Sequence, residues 1–248
     1  MKQSLLLLLY FITLTGFQSD NGFKNEQLRH SRVKAAFQEK EDTVKKFFAA
    51  QGITFEKAHL FFRVFKAEQE MEVFARNGNT GKFTLIKRYQ ICMNSGEPGP
   101  KRRQGDYQIP EGFYHINVFN PYSSYHLSMG INYPNESDKK LGYKQALGGD
   151  IYIHGRCVTI GCITFSDEDI KEIYISAVQA KSNGQNKIPV HIFPCRMNEE
   201  NMKKLTEIYK EKEELLKFWN NIKQGYDLFE NTKTIFSFSV EESGYYKF

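Results

Sequence analysis

Several things are scarce in this 248-residue chain, and each scarcity narrows what it can be. Cysteine occurs four times, at irregular spacing (Cys92, Cys157, Cys162, Cys195), too sparsely for a disulfide-built scaffold. Basic residues nowhere form a dense run, and the net charge is only +5, so nucleic acid is not an expected partner. No segment after the first twenty residues resembles a transmembrane helix. No K-T-G accompanies an S-x-x-K, which removes the serine acyl-transfer site of that pattern. Internal repeats and low-complexity linkers are also absent from the sequence.

Aromatic residues, by contrast, are abundant: 21 Phe and 14 Tyr. Both favour strands, so a β-rich centre is expected. The N-terminus, with Lys2 ahead of an apolar run from Leu5 to Leu14, has the layout of a secretory signal peptide ending near Ser19. That layout predicts export, to the periplasm in a bacterium of that type.

Apolar residues at Val33, Phe37, Val44 and Phe48 predict a helix over about 24–50 with one buried stripe. Strands are expected at 59–66, 70–76, 83–92, 123–131, 151–153 and 188–193, with a possible edge strand at 234–240. Ser166 with Asp169 three residues on opens a helix running to about Ala180, and 198–224 reads as a second long helix. The segment 135–148 reads as a polar loop. The expected fold is therefore α+β, divided into a signal peptide (1–19), an N-terminal helical extension (20–54), one β-rich domain (55–197) and a C-terminal helical extension (198–248).

The stretch Gly149–Ser166, GDIYIHGRCVTIGCITFS, carries the chemistry. A strand delivers His154 and Gly155, and a tight loop returns the chain to Gly161 and Cys162. A histidine and a cysteine that fold within reach of each other can transfer acyl groups: the imidazole takes the proton and the sulfur attacks a carbonyl. Glycine before the cysteine lets backbone N–H groups turn toward the developing oxyanion. A second reading is a metal site built from His154, Cys157 and Cys162, although nothing nearby supplies a clear fourth ligand. Cys157 is either a packing residue or a redox partner of Cys162, and Cys92 and Cys195 sit in apolar surroundings that suit buried thiols. The basic cluster Lys101–Arg103 is either a solvated loop tip or a clamp for substrate carboxylates.

Six fragments in order resemble one family: FFRVFKAEQEMEVF (61–74), YQICMNSGEPGPK (89–101), GDYQIPEGFY (105–114), NPYSSYHLSMGINYPN (120–135), IHGRCVTIGC (153–162) and HIFPCRM (191–197). They resemble the L,D-transpeptidase (YkuD-type) catalytic family, and within it the YafK-like subgroup. The resemblance implies a β-sandwich-like catalytic domain, a cysteine nucleophile at Cys162, a general base at His154 and an imidazole oriented by the Gly155 carbonyl. It implies oxyanion donors at the N–H groups of Ile160, Gly161 and Cys162, with Thr159 in support. Lys101, His126, Ser128, Tyr133, Arg156 and Tyr89 become candidate groove residues. Relative to the wider family the loop is short, Ile160 stands where a His would be and Thr164 where an Arg would be. Three functions stay open: a cysteine acyltransferase on peptidoglycan stem peptides, a hydrolase of the same fold that cleaves crosslinks or releases a wall-attached protein, and a silent peptidoglycan-binding module. No cofactor is implied, and a monomer is expected.

Overall fold

The computed structural model describes residues 22–248. The expected signal peptide lies outside the described residues.

Chain order begins with two helices, α1 (Gly22–Gln27) and α2 (Ser31–Ala50), where one continuous helix was expected. The break falls at 28–30, where His30 adopts an extended conformation and starts the second helix. A 3-10 turn at Phe55–Lys57 then leads into β1 (Ala58–Phe65), β2 (Glu70–Asn77) and β3 (Thr84–Gln90), an antiparallel meander. After a long loop come β4 (Gly112–Asn120), β5 (Ser128–Ile131), α3 (Glu136–Leu141), β6 (Tyr152–His154), β7 (Ile163–Thr164), α4 (Asp167–Ser182) and β8 (Pro189–Phe193). The chain ends with α5 (Glu199–Ile208), α6 (Glu213–Thr232) and a small ribbon of β9 (Ser239–Val240) and β10 (Tyr246–Lys247).

Eight strands form one sheet in the order β3-β2-β1-β8-β4-β5-β6-β7. Strand β4 belongs to both halves: residues 112–115 pair with β8, and residues 116–120 pair with β5 beyond a register shift at Ile116–Val118. Bulges of this kind bend a strand and raise its twist. The sheet curls far enough that Met93, just past β3, bridges to Thr164 on β7. The α+β class is as expected, and the two faces of a sandwich arise here from one sheet folded over at β4.

Period-two alternation decides what each face holds. On β1, Leu60, Phe62 and Val64 face the main core with α4 and α2, while Phe61 joins Phe74, Phe83 and Phe229 on the opposite face. Both faces are covered, so all eight β1 residues are buried. Helix α6 covers the outer face with Phe218, Trp219, Ile222 and Tyr226. The expected single C-terminal helix is instead two, separated at residues 209–212.

Three local expectations fail for identifiable reasons. Segment 135–148 contains α3, because Asn135 and Asp138 form a reciprocal capping box. Residues 123–127 are loop, with His126 in a left-handed conformation (φ 69°), so the strand starts only at Ser128. Cys92 is not a free thiol: it forms a disulfide with Cys157. Cys195 is free and buried, as expected, and burial pushes its thiol pKa up to about 12.

Candidate functional site

Strand β6 positions the site. Its three residues pair antiparallel with β5 (Ser128 opposite His154) and parallel with β7 (His154 opposite Thr164). Left-handed residues bracket it, Asp150 at φ 57° and Arg156 at φ 58°. Non-glycine residues in that region cost energy and persist where surrounding structure enforces them. Here the enforcement is visible: the Arg156 N–H donates to the Asp167 carboxylate at 3.0 Å, and the disulfide at Cys157 ties the loop to the exit of β3. On that exit, the Cys92 N–H donates to the Thr164 carbonyl at 3.0 Å. Gly155 is required by close approach, since a Cβ there would lie 2.8 Å from Asp167 Oδ1 and 3.0 Å from the Tyr125 carbonyl.

His154 and Cys162 both line one cavity of about 590 Å³. Asn120, Ser123, Ser124, Tyr125 and Ser128 form one wall, and Val158, Thr159 and Ile160 lie on the side of the cysteine loop. A volume of that size fits a peptide segment or small molecule. The rim is apolar where the loop crosses it, with Ile160 73% and Val158 50% exposed.

The imidazole orientation follows from one contact. His154 Nδ1 lies 2.6 Å from the Gly155 carbonyl oxygen, which can only accept, so Nδ1 carries the proton and Nε2 is left as the basic nitrogen. Burial pushes the His154 pKa below that of an ordinary histidine, and the Gly155 carbonyl partly opposes this. The Cys162 thiol is pushed up, first by burial and then by Asp150; the Tyr152 N–H and Lys101 act the other way. Its sulfur accepts from the Tyr152 N–H at 3.4 Å and the thiol donates to the Asp150 carbonyl at 3.7 Å. Both shifts favour neutral forms, so the resting pair is thiol and imidazole.

The loop before Cys162 has its own hydrogen-bond closure. Thr159 Oγ1 accepts from the N–H groups of Gly161 (3.1 Å) and Cys162 (2.7 Å) and donates to the Cys162 carbonyl at 2.8 Å. The expected oxyanion donors are the N–H groups of Ile160, Gly161 and Cys162. Two of them, on Gly161 and Cys162, serve a Thr-centred turn in the structure. Sequence reasoning placed Thr159 in support but could not see that its hydroxyl occupies the donors.

The other candidates divide clearly. Ser128 lines the cavity. Lys101 is buried and held by Asp106 (2.6 Å) and the Arg103 carbonyl (2.9 Å), so it is neither a solvated tip nor a free clamp. It still lies close enough to act electrostatically on Cys162. Tyr89 donates to Glu172 at 2.9 Å beneath the sheet, and Tyr133 donates to the Leu147 carbonyl at 3.1 Å; neither lines the cavity. His126 and Arg156 also fall outside its lining. The metal reading loses a ligand, because a disulfide-bonded Cys157 offers no thiolate, and no metal-binding cluster is present among the described residues. The same disulfide removes Cys157 as a redox partner of Cys162. Tyr125, Tyr152 and Asp150 are site residues that sequence reasoning missed; the fragment 120–135 contains Tyr125, but the alternation there read as plain strand.

The L,D-transpeptidase catalytic domain family (YkuD) matches residues 61–192, more than half of the chain. The chain belongs to the L,D-transpeptidase family. A relative described as "Putative L,D-transpeptidase YafK", from Escherichia coli strain K12, is 36% identical over 188 residues, covering 75% of this chain and 72% of that protein. Among solved structures, the helical cell shape determining protein Pgp2 from Campylobacter jejuni is 18% identical, covers 80% of each chain and superposes with a TM-score of 0.43. Bd1075 from Bdellovibrio bacteriovorus is 23% identical over 64% of this chain and 57% of that one, with a TM-score of 0.39. The L,D-transpeptidase match ends at Ile192, so helices α1, α2, α5 and α6 lie outside it.

Proposed function

We propose that this protein is a cysteine acyltransferase that takes an acyl group from a peptidoglycan stem peptide onto Cys162. The observation that carries the reading is the Nδ1–Gly155 contact: it fixes the tautomer that leaves His154 Nε2 basic, in a cavity that the free thiol of Cys162 also lines. The family membership supplies the substrate class.

The reaction needs no cofactor. His154 Nε2 accepts the Cys162 proton as Sγ bonds to the peptide carbonyl carbon, whose π-electrons move onto oxygen. The oxyanion meets backbone N–H groups of the 160–162 turn, in place of the Thr159 hydroxyl. Collapse of the tetrahedral species breaks the C–N bond, and the imidazolium proton goes to the leaving amine. A thioester remains. An acceptor amine, or water, then gives its proton to Nε2 and attacks the thioester; the sulfur leaves and is reprotonated. The amine outcome is transpeptidation and the water outcome is hydrolysis.

The expected signal peptide places this action beyond a membrane, and in the hydrolytic outcome the bond cleaved is a crosslink or the attachment of a wall-bound protein. The test is mass spectrometry of sacculi, and of protein-linked muropeptides, after incubation with the wild type and with Cys162→Ala. New crosslinked or exchanged peptides from the wild type alone support transpeptidation. Shortened peptides or released protein identify the hydrolase, and identical products from both proteins would leave a binding module.

A further inference from the structure

Arg32 lies on α2, outside the family domain, yet it reaches into the wall of the active-site cavity. Its Nη1 donates to the carbonyls of Ser123 (2.5 Å) and His126 (2.8 Å), which lie 91 and 94 positions further along the chain. Those two carbonyls bracket Tyr125. The bracketed turn is closed internally by the Tyr125 N–H, which donates to Ser123 Oγ at 3.0 Å. Beside it, His30 packs edge-on against Tyr122, with ring centroids 4.7 Å apart. Helix α2 is itself fixed to α4 by Lys171–Glu39 and Lys40–Glu168 ion pairs.

Tyr125 lies over the general base. Its ring centroid is 4.7 Å from that of His154, with the planes inclined by only 30°. The loop also meets the other end of the His154 contact: the Tyr125 carbonyl abuts Gly155, and the Gly155 N–H donates to the Leu127 carbonyl at 3.2 Å. So the 123–127 loop holds both the imidazole face and the residue whose carbonyl fixes the imidazole proton.

We infer that Arg32 and Tyr125 are positioning residues for His154: helix α2 clamps the 123–126 turn, and the clamped Tyr125 ring keeps the imidazole in the orientation that directs Nδ1–H at the Gly155 carbonyl. The inference rests on the reading of His154 as general base. Physically, the Nδ1 contact restrains χ2 through a single hydrogen bond, and an aromatic ring packed at a tilt over the imidazole adds a steric restraint on the same rotation. Arg32 is suited to the clamp because a guanidinium can donate to two carbonyls at once from one planar group.

The test reads the tautomer directly. Protein labelled with 15N-histidine contains six histidines, and His154→Ala assigns the relevant signals. At a pH where the ring is neutral, the wild type should show His154 as a single Nδ1–H tautomer. Tyr125→Phe, which keeps the ring, should keep it. Tyr125→Ala and Tyr125→Leu should give a mixture with the Nε2–H form, and Arg32→Gln a smaller admixture, with thermal melts confirming that each variant is folded. A single tautomer in both Tyr125→Ala and Tyr125→Leu would overturn the role of Tyr125, and an Arg32→Gln spectrum matching the wild type would overturn the clamp. On a wall peptide that the wild type turns over, the Ala variant should lose about 10-fold or more in kcat with KM changed far less, the pattern of a misplaced base. Should the wild type turn over no wall peptide, the proposed substrate fails while the spectra still decide the positioning.

Discussion

The disulfide between Cys92 and Cys157 gives the sharpest quantitative prediction. Its two cysteines are 65 positions apart, so it closes a long loop in the unfolded chain. The loop-entropy relation assigns a closure of that length about 4 kcal/mol, within a typical range of about 2–4 kcal/mol for measured bridges. For a protein of this size about 1 kcal/mol moves Tm by about 2–4 °C, so the Cys92→Ala/Cys157→Ala double variant should melt roughly 8–16 °C lower. Location adds a functional effect. Cys157 sits in the loop between His154 and Cys162, and its partner lies beside Met93, which lines the cavity. Loosening that tether should lower kcat even at temperatures where the double variant is fully folded. The assay is a pair of thermal melts, wild type and double variant, each with and without a reducing agent. Reductant should bring the wild type down to the double variant and leave the variant unmoved. Melting temperatures within about 2 °C of each other, or a peptide map showing both thiols free in the wild type, would refute the reasoning.

Other predictions follow from single contacts. Gly155→Ala should abolish turnover while the protein remains folded, because its Cβ would meet Asp167 Oδ1 at 2.8 Å and Ile170 Cγ2 at 2.9 Å; assays and circular dichroism on the same preparation check it. Thr159→Val should destabilise by about 1–3 kcal/mol in urea unfolding, since the N–H groups of Gly161 and Cys162 lose their acceptor, whereas Thr159→Ser should restore most of the loss. Alkylation of free Cys162 by iodoacetamide should rise only at pH values above those of an ordinary thiol, because burial raises its pKa; a plateau at neutral pH would indicate an ion pair instead. His191 is buried among Phe61, Phe113, Phe193 and Phe236 and its pKa is depressed to about 3. A depressed histidine contributes stability that is complete above its unfolded pKa and is lost as pH falls from about 6.5 toward 3. His191→Phe should therefore flatten the stability curve across that window, measured by denaturant midpoints at several pH values.

Much of the fold was legible in the sequence because its strands are patterned locally. The strands β1 and β2 and the helix α4 announce themselves through aromatic and β-branched runs and through the Ser166 cap. What was not legible depends on contacts distant in the chain. Cys92 and Cys157 meet only because the sheet curls round until the exit of β3 reaches β7. Lys101 reads as a solvated tip or a carboxylate clamp until the fold brings Asp106 and the Arg103 carbonyl onto it. At the site, the meeting of His154 and Cys162 in one cavity was legible from their spacing, since a strand and a short return loop suffice to bring the two together. Tyr125 was not, because alternation over 123–131 mimics a strand and only the left-handed His126 shows where the turn ends.

The central claim is that Cys162 carries the acyl group, and intact-protein mass spectrometry tests it most directly. The enzyme is mixed with a disaccharide-tetrapeptide substrate, quenched in acid within seconds, and weighed. The account predicts an added mass equal to the acyl fragment, located on the peptide containing Cys162, removed by hydroxylamine and missing from Cys162→Ala. Turnover of the same substrate by Cys162→Ala at the wild-type rate would contradict it.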